Sequence, residues 1–348
     1  MKTITKGKNM NNFKKVGLTA LAGSLAAISA HAAEMSVSGA SVLTYTSEDE
    51  REVTGNPMGM KTNLSFTASG DVNGYTVSYM QTSADQFAGM SSARLSVDLG
   101  DMGTLAFDQG SGSGLANIDD KTPTAAEEIW DGLGGATYKS GRVGTAGSSG
   151  VFNYVKTFGG VKLDAAYRKG SGTSNSDGST SGAGDGAADF ALTGSGDAFG
   201  LAGVAWGLGY GESLGGGGGK DLAGANVDAG TGDTVDMTFF TNYTIGAATL
   251  GAQVSDQEKG GLGAKDQETI AWGTAYNINE NLSVSYGERT TVYSRIAGLK
   301  SIKEKTEGFA AAYTMGSMKI AGNRNSVDNI GGATTSDSMT EIAVSFAF

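Results

Sequence analysis

Apolar and polar residues alternate one for one along most of this chain, and after Ala33 no segment sustains a helical period. Met60, Thr62, Leu64, Phe66 and Ala68 alternate with Lys61, Asn63, Ser65, Thr67 and Ser69. Ala93, Leu95, Val97 and Leu99 alternate with Arg94, Ser96 and Asp98, and Val161, Leu163, Ala165 and Tyr167 with Lys162, Asp164 and Arg168. A period of two gives a strand one apolar and one polar face. A soluble β-sandwich alternates as well, but it needs bulky aliphatics for its core. Here hydrophobic residues make up 39% of the chain, and no apolar helix is available as a covering layer. In a transmembrane barrel the apolar faces meet lipid and the polar faces line water, so neither a core nor a covering layer is required.

The connections support the barrel. Short ones (70–74, 100–103, 159–160, 245–247, 277–281, 316–317) alternate with long ones (47–59, 110–140, 170–188, 213–233, 255–267, 326–338). This is the rhythm of periplasmic turns and external loops. Fifteen strands can be placed, from 35–46 to 339–348. An up-and-down barrel with both ends on the periplasmic side needs an even number. The rhythm breaks only where two long gaps flank a strand at 198–210, so a sixteenth strand is expected between Gly186 and Ser213.

The first residues read as a targeting segment. Lys14 and Lys15 precede an apolar run from Val16 to Ile28, and Ala30-His31-Ala32 fits the small-x-small cleavage pattern. The expected division is a signal peptide over 1–32, with Met10 an alternative start, and one barrel domain over 33–348. The run is too short for a permanent membrane helix. Five of the 25 basic residues lie in this segment and none of the 36 acidic ones, which leaves the exported chain a formal net charge of −16. Such a chain repels nucleic-acid phosphates. The only His, His31, is removed with the segment, and Cys is absent. Histidine acid–base chemistry, the Ser-His-Asp triad, thiol chemistry, disulfides and the usual zinc sites are therefore excluded. No cofactor or metal is expected. Gly215–Lys220 lacks the flanking residues of a phosphate-binding loop, a lone Gly-rich calcium-type repeat does not act singly, and Glu48-Asp49-Glu50 reads as solvated loop charge.

The last strand places Ile342, Val344, Phe346 and Phe348 on one face, with Phe348 as the terminal residue. This end, the turn Gly100-Asp101-Met102-Gly103 leading into Thr104-Leu105-Ala106-Phe107, and the acidic segment that follows resemble the Gram-negative general porins, in particular the sixteen-stranded proteobacterial branch. The Gly-rich stretches at 170–188 and 211–219 depart from that family. The resemblance implies an outer-membrane homotrimer, and recognition of Phe346 and Phe348 by the outer-membrane assembly machinery. It also implies that the segment 110–140 folds into the barrel as a third loop and narrows the pore. The outer surface then meets lipid and lipopolysaccharide.

On this reading selectivity rests on the charges at the narrowing. The candidate loop carries Asp119, Asp120, Glu127, Glu128 and Asp131, and Thr124–Trp130 is a candidate helical turn with Pro123 as its first residue. Candidate basic wall residues are Lys61, Arg94, Lys162 and Arg168 on strands, and Arg142 just after the loop. Trp206, Trp272, Tyr167, Tyr243, Tyr276 and Tyr286 suit interfacial girdles, with a sugar-stacking track as the alternative. The expected function is passive diffusion of small hydrophilic solutes. A substrate-selective channel would differ in its response to candidate solutes, and a structural or adhesive barrel would show little conductance.

Overall fold

The structure is a computed structural model that describes residues 34–48, 56–83, 89, 91–108, 112, 114–133, 150–169, 186–213, 233–258, 266–294 and 302–348. The expected signal segment, Arg142 and the run Gly215–Lys220 lie outside the described residues. Sixteen strands follow one another: β1 (Glu34–Glu48), β2 (Met58–Val72), β3 (Tyr75–Ser83), β4 (Ser92–Asp98), β5 (Thr104–Phe107), β6 (Val151–Phe158), β7 (Val161–Arg168), β8 (Ala187–Ser195), β9 (Val204–Ser213), β10 (Thr234–Ile245), β11 (Ala248–Glu258), β12 (Asp266–Asn277), β13 (Leu282–Ser294), β14 (Ile302–Met315), β15 (Met318–Asp328) and β16 (Asp337–Ala347). Each pairs antiparallel with its sequence neighbours, and β1 pairs with β16 to close the barrel. Closure leaves no edge strand, the condition for crossing a bilayer with strands. At the seam the Gly39 N–H donates to the Phe348 carbonyl at 2.8 Å, and the Phe348 N–H donates back at 2.9 Å.

Tight turns follow from local chemistry. Between β2 and β3, Asn73 and Gly74 have φ of 56° and 86°. A two-residue hairpin of this kind needs both central residues left-handed, and Asn-Gly meets that at low cost.

Alternation settles which side chains face lipid. Met58, Met60 and Phe66 of β2 point outward and are exposed, while Lys61 between them points into the lumen. The same parity places Tyr167, Trp206, Tyr243, Trp272, Tyr276 and Tyr286 on the outer surface, which removes the sugar-stacking alternative inside the lumen.

The expected strand at 198–210 is corrected. Gly196–Phe199 is a short 3₁₀ turn, β9 starts at Val204, and the sixteenth strand is β8. Alternation is blunted here because the inward positions are small: Ala187, Asp189, Ala191 and Thr193 on β8, and Ala205, Gly207, Gly209 and Gly211 on β9. These strands have no strongly polar face because part of their inner surface is covered by protein.

Candidate functional site

That cover is the connection between β5 and β6, residues 108–150, described as far as Leu133 and again at Gly150. Residues 114–133 lie inside the barrel and follow its wall strand by strand. Asn117 donates to Asp164 of β7 at 2.9 Å, and Ile118 is buried against Ala191 of β8 and Phe240 of β10. Gln253 of β11 accepts from the Lys121 N–H and donates to the Ile118 carbonyl, both at 2.7 Å. Asn242 of β10 donates to the Lys121 carbonyl at 2.7 Å, and Ser285 of β13 accepts from the Ala125 N–H at 2.8 Å. Asn325 of β15 donates to the carbonyls of Asp131 at 3.0 Å and Glu128 at 3.3 Å. Leu133 ends the track, packed with Val327, Ile330, Met339 and Trp130.

Inward glycines make room for this path. A Cβ at Gly308 would lie 2.8 Å from the Ile129 Cβ, and one at Gly273 would lie 2.9 Å from the Pro123 carbonyl oxygen. Gly209 and Gly251 similarly accommodate Leu115 and Pro123. Glycine inside a strand often marks the close approach of another backbone.

The expected helical turn over Thr124–Trp130 does not form. This stretch runs in bends and turns, and the 3₁₀ turn lies earlier, at Ala116–Ile118. The wall supplies the reason. Ser285 takes the Ala125 N–H and Asn325 the Glu128 carbonyl, which hold the stretch along the wall, while the Thr124 hydroxyl donates to the Glu127 carbonyl at 2.7 Å.

The carboxylates are brought together. Burial, and then the neighbouring charge and hydrogen bond of Asp120, push Glu128 up to about 7 against the pull of its own backbone. Burial also holds the Asp131 carboxyl above its ordinary range, opposed by the Gly132 N–H and the charge of Lys61. Lys61 of β2 thus faces the end of the acidic segment. Glu341 of β16, which accepts from the Thr46 hydroxyl at 3.1 Å, is close enough to Glu127 and Asp131 to feel both charges. Lys121 stands 3.9 Å from Asp120. Arg94 points inward from β4. Lys162 and Arg168 also point inward but lie on β7, where the segment begins. Lys162 there pairs with Asp164 at 3.5 Å, and Arg168 sits at the outer end of the strand.

One buried cluster anchors the far end. The Arg289 guanidinium of β13 lies 4.6 Å from the ring centre of Trp130 and donates to Glu304 of β14 at 3.1 Å. Glu304 is fully buried, and it also accepts from Tyr293 at 3.1 Å and from the Gly331 N–H at 2.7 Å. Sequence reasoning missed Arg289, Glu304 and Glu341. Parity alone puts all three inward, but the contacts that single them out depend on where the loop lies. The glycines did carry a signal, since they recur at inward positions of β9 and β11–β14. Among the described residues, no group of three or more His, Cys, Asp or Glu is arranged to hold a metal ion.

No protein-family model matches the sequence, and no curated protein does. Solved structures match in fold. The anion-selective porin from Comamonas acidovorans is 13% identical, with a TM-score of 0.61 over 91% of this chain and 100% of that one. A trimer form of OmpT, an outer-membrane protein of Vibrio cholerae, is 14% identical, with a TM-score of 0.63 over 91% of this chain and 100% of its own. A variant of the Rh. blastica porin is 15% identical, with a TM-score of 0.57 over 90% of this chain and 100% of its own. The shared architecture is the closed sixteen-stranded barrel.

Proposed function

We propose that this chain is an outer-membrane porin, a water-filled channel through which small hydrophilic solutes and ions diffuse passively. It is exported by a cleaved signal peptide over 1–32 and assembled as a homotrimer. The observation that carries the reading is the segment 114–133 held along the inner wall of the closed barrel by named side chains. A channel needs an opening, a narrowing and a fixed charge at the narrowing, and no chemical step. The reading therefore assigns no catalytic residue and no cofactor. Phe346 and Phe348 serve assembly, and the outer surface meets lipid and lipopolysaccharide.

The acidic side of the narrowing outweighs the basic side. Asp119, Asp120, Glu127, Glu128, Asp131 and Glu341 stand against Lys61, Arg94 and Lys121, because Arg289 is already neutralised by Glu304. The expected selectivity is for cations, opposite to that of the anion-selective Comamonas porin. At about 0.15 M salt the screening length is roughly 8 Å, so only charges near the narrowest point count. Replacing Asp119, Asp120, Glu127 and Glu128 by their amides should move the reversal potential in planar bilayers toward anion selectivity. Amides at Glu48, Asp49, Glu50 and Glu52, in a loop expected at the outer mouth, should do much less. Equal shifts in the two variants would show that the segment is not the constriction.

A further inference from the structure

Inward side chains of a water-filled barrel are polar as a rule, because they line solvent. The paired ends of β15 and β16 break that rule. Val327 and Met339 point inward and are buried, although that face meets no lipid. Two further side chains bury them: Leu133, at the end of the inner segment, and Ile330, from the connection between β15 and β16. Trp130 packs on the same cluster. A Cβ at Gly132 would run into the Met339 methyl, so this end of the segment lies flush on β16.

The connection reaches this cluster because its backbone turns back into the barrel. Asn329, Gly331 and Gly332 have φ of 60°, 61° and 74°. Glycine adopts that left-handed backbone freely, and Asn more readily than most residues. The Asn329 side chain donates to the Lys303 carbonyl of β14 at 3.0 Å, and the Ile330 N–H donates to the Thr335 carbonyl at 2.9 Å. Ile330 is thereby aimed inward and is 5% exposed. Gly332 lies against the Tyr293 ring, where a Cβ would come within 3.1 Å. Between them the Gly331 N–H donates to Glu304 at 2.7 Å. One carboxylate thus serves both loops. Glu304 Oε1 holds Arg289, whose guanidinium lies over Trp130, and Oε2 holds the Tyr293 hydroxyl and the Gly331 N–H.

We propose that the β15–β16 connection is a latch on the inner segment, with Ile330 and Gly331 as its contact points. The proposal rests on the channel reading and adds a second loop to the narrowing. Ahead of Leu133 the segment is held by hydrogen bonds from the wall, the last of them from Asn325 to Asp131. Leu133 itself is held by apolar contact: Val327 and Met339 are its partners on the wall, and Ile330 is its partner from outside the wall. With the wall behind it, a freed end can move only into the crescent. Release of the latch therefore interrupts the current for as long as it lasts, and a latched loop keeps the channel open. Ile330 acts here as a positioning residue and touches no permeating ion. The latch lies at the mouth away from the tight turns, so it couples that mouth to the narrowing.

Single-channel recording on the full barrel in planar bilayers tests this. The unaltered channel should stay open, with rare closures. Ile330→Ser removes the apolar contact, and closures should become about tenfold more frequent, a modest share of what losing a buried aliphatic side chain does to an equilibrium. Ile330→Val should restore the quiet record. Ser336→Ala, which loses the bond to Asp328 at 2.9 Å, should not alter it. The temperature at which the heat-modifiable band is lost should change little in Ile330→Ser, because no wall residue is altered. A fall in that temperature without added closures would make Ile330 a structural residue only and overturn the latch. Unchanged closures at an unchanged temperature would overturn it as well.

A second measurement needs no conductance and also decides if Ile330→Ser does not assemble. The chain has no cysteine, so Ile330→Cys supplies its single thiol. Reaction with a charged methanethiosulfonate should be slow in the folded barrel and about tenfold faster once Leu133→Ala is added. Equal rates would show that the connection folds inward without the segment, and the latch would fail. An unaltered barrel that never conducts would instead count against the channel reading, and the thiol rates would still decide the latch.

Discussion

The two halves of the lumen wall are built from different residues. From β1 to β4 the inward positions carry charge and hydroxyls, as with Lys61, Asn63, Ser65 and Arg94. From β8 to β15 many are Ala, Gly, Asn, Gln or Ser, several of which touch the segment 114–133, and four charged ones (Asp189, Asp236, Arg289 and Glu304) are buried. Among the described residues, the segment 114–133 lies against the second half. The pore is therefore a crescent between a charged wall and a loop, and the covered half is designed for a backbone rather than for solvent. This difference implies that substitutions on the covered half act through loop position, and those on the uncovered half act through charge alone.

The largest effect should come from the buried pair that ends the covered half. Glu304 and Arg289 are 0% and 4% exposed, so Glu304→Gln leaves a guanidinium desolvated without its counter-charge. Breaking such a pair costs about 3–5 kcal/mol. The temperature at which the folded, heat-modifiable band is lost on gels should fall clearly. Lys162→Met, which removes the 47%-exposed partner of Asp164, should cost at most about 1 kcal/mol. Similar losses in the two variants would mean that the anchor is not needed for stability. If Glu304→Gln also raises single-channel current noise, the anchor holds the loop as well as the wall.

A smaller effect should follow from filling the glycine track. Gly308→Val adds side-chain atoms where Ile129 already sits. Overpacking of this kind costs about 1–3 kcal/mol, and the loop is the element that can yield. Single-channel conductance should fall as the loop is pushed off the wall and into the crescent. Ser65→Val, inward on the uncovered half, should leave conductance nearly unchanged. Unaltered conductance in Gly308→Val would mean that the barrel wall, not the loop, gives way.

The same contrast explains what the sequence could disclose. Strand positions from β1 to β7 and from β10 to β16 were legible because each strand meets lipid on one side and a polar surface on the other. β8 and the start of β9 were not, because Leu115 and Ile118 cover inward positions there and small residues replaced the polar ones. The acidic segment was visible as composition, but its conformation was not. Thr124–Trp130 has helical character in isolation, yet its peptide groups are claimed by Ser285 and Asn325 from strands more than 150 positions away. Arg289 and Glu304 were hidden for the same reason, since only contact with Trp130 and Gly331 distinguishes them from ordinary lumen charges.

The subtlest test exploits a carboxyl of the inner segment that is pushed up toward neutrality. Glu128 shares a hydrogen bond with Asp120 and is pushed up to about 7, chiefly by burial. Above that pH Glu128 is charged and attracts cations; below it Glu128 takes up a proton and one negative charge leaves the crescent. Cation selectivity should therefore fall as the pH is lowered from about 8 to 6, a range in which an ordinary Glu, with a reference value near 4.3, stays ionised. Because no histidine follows the expected cleavage site, no imidazole competes in this range. Glu128→Gln should fix selectivity at the low-pH level and remove the step. Glu127→Gln should lower selectivity at every pH and keep the step, since Glu127 is exposed and only a minor contributor to the raised value of Glu128. Reversal potentials at a fixed salt gradient, recorded across that pH range for the three proteins, decide the matter. A step that survives in Glu128→Gln would place the titrating group elsewhere, and with it the claim that the buried edge of the loop faces the permeating ions.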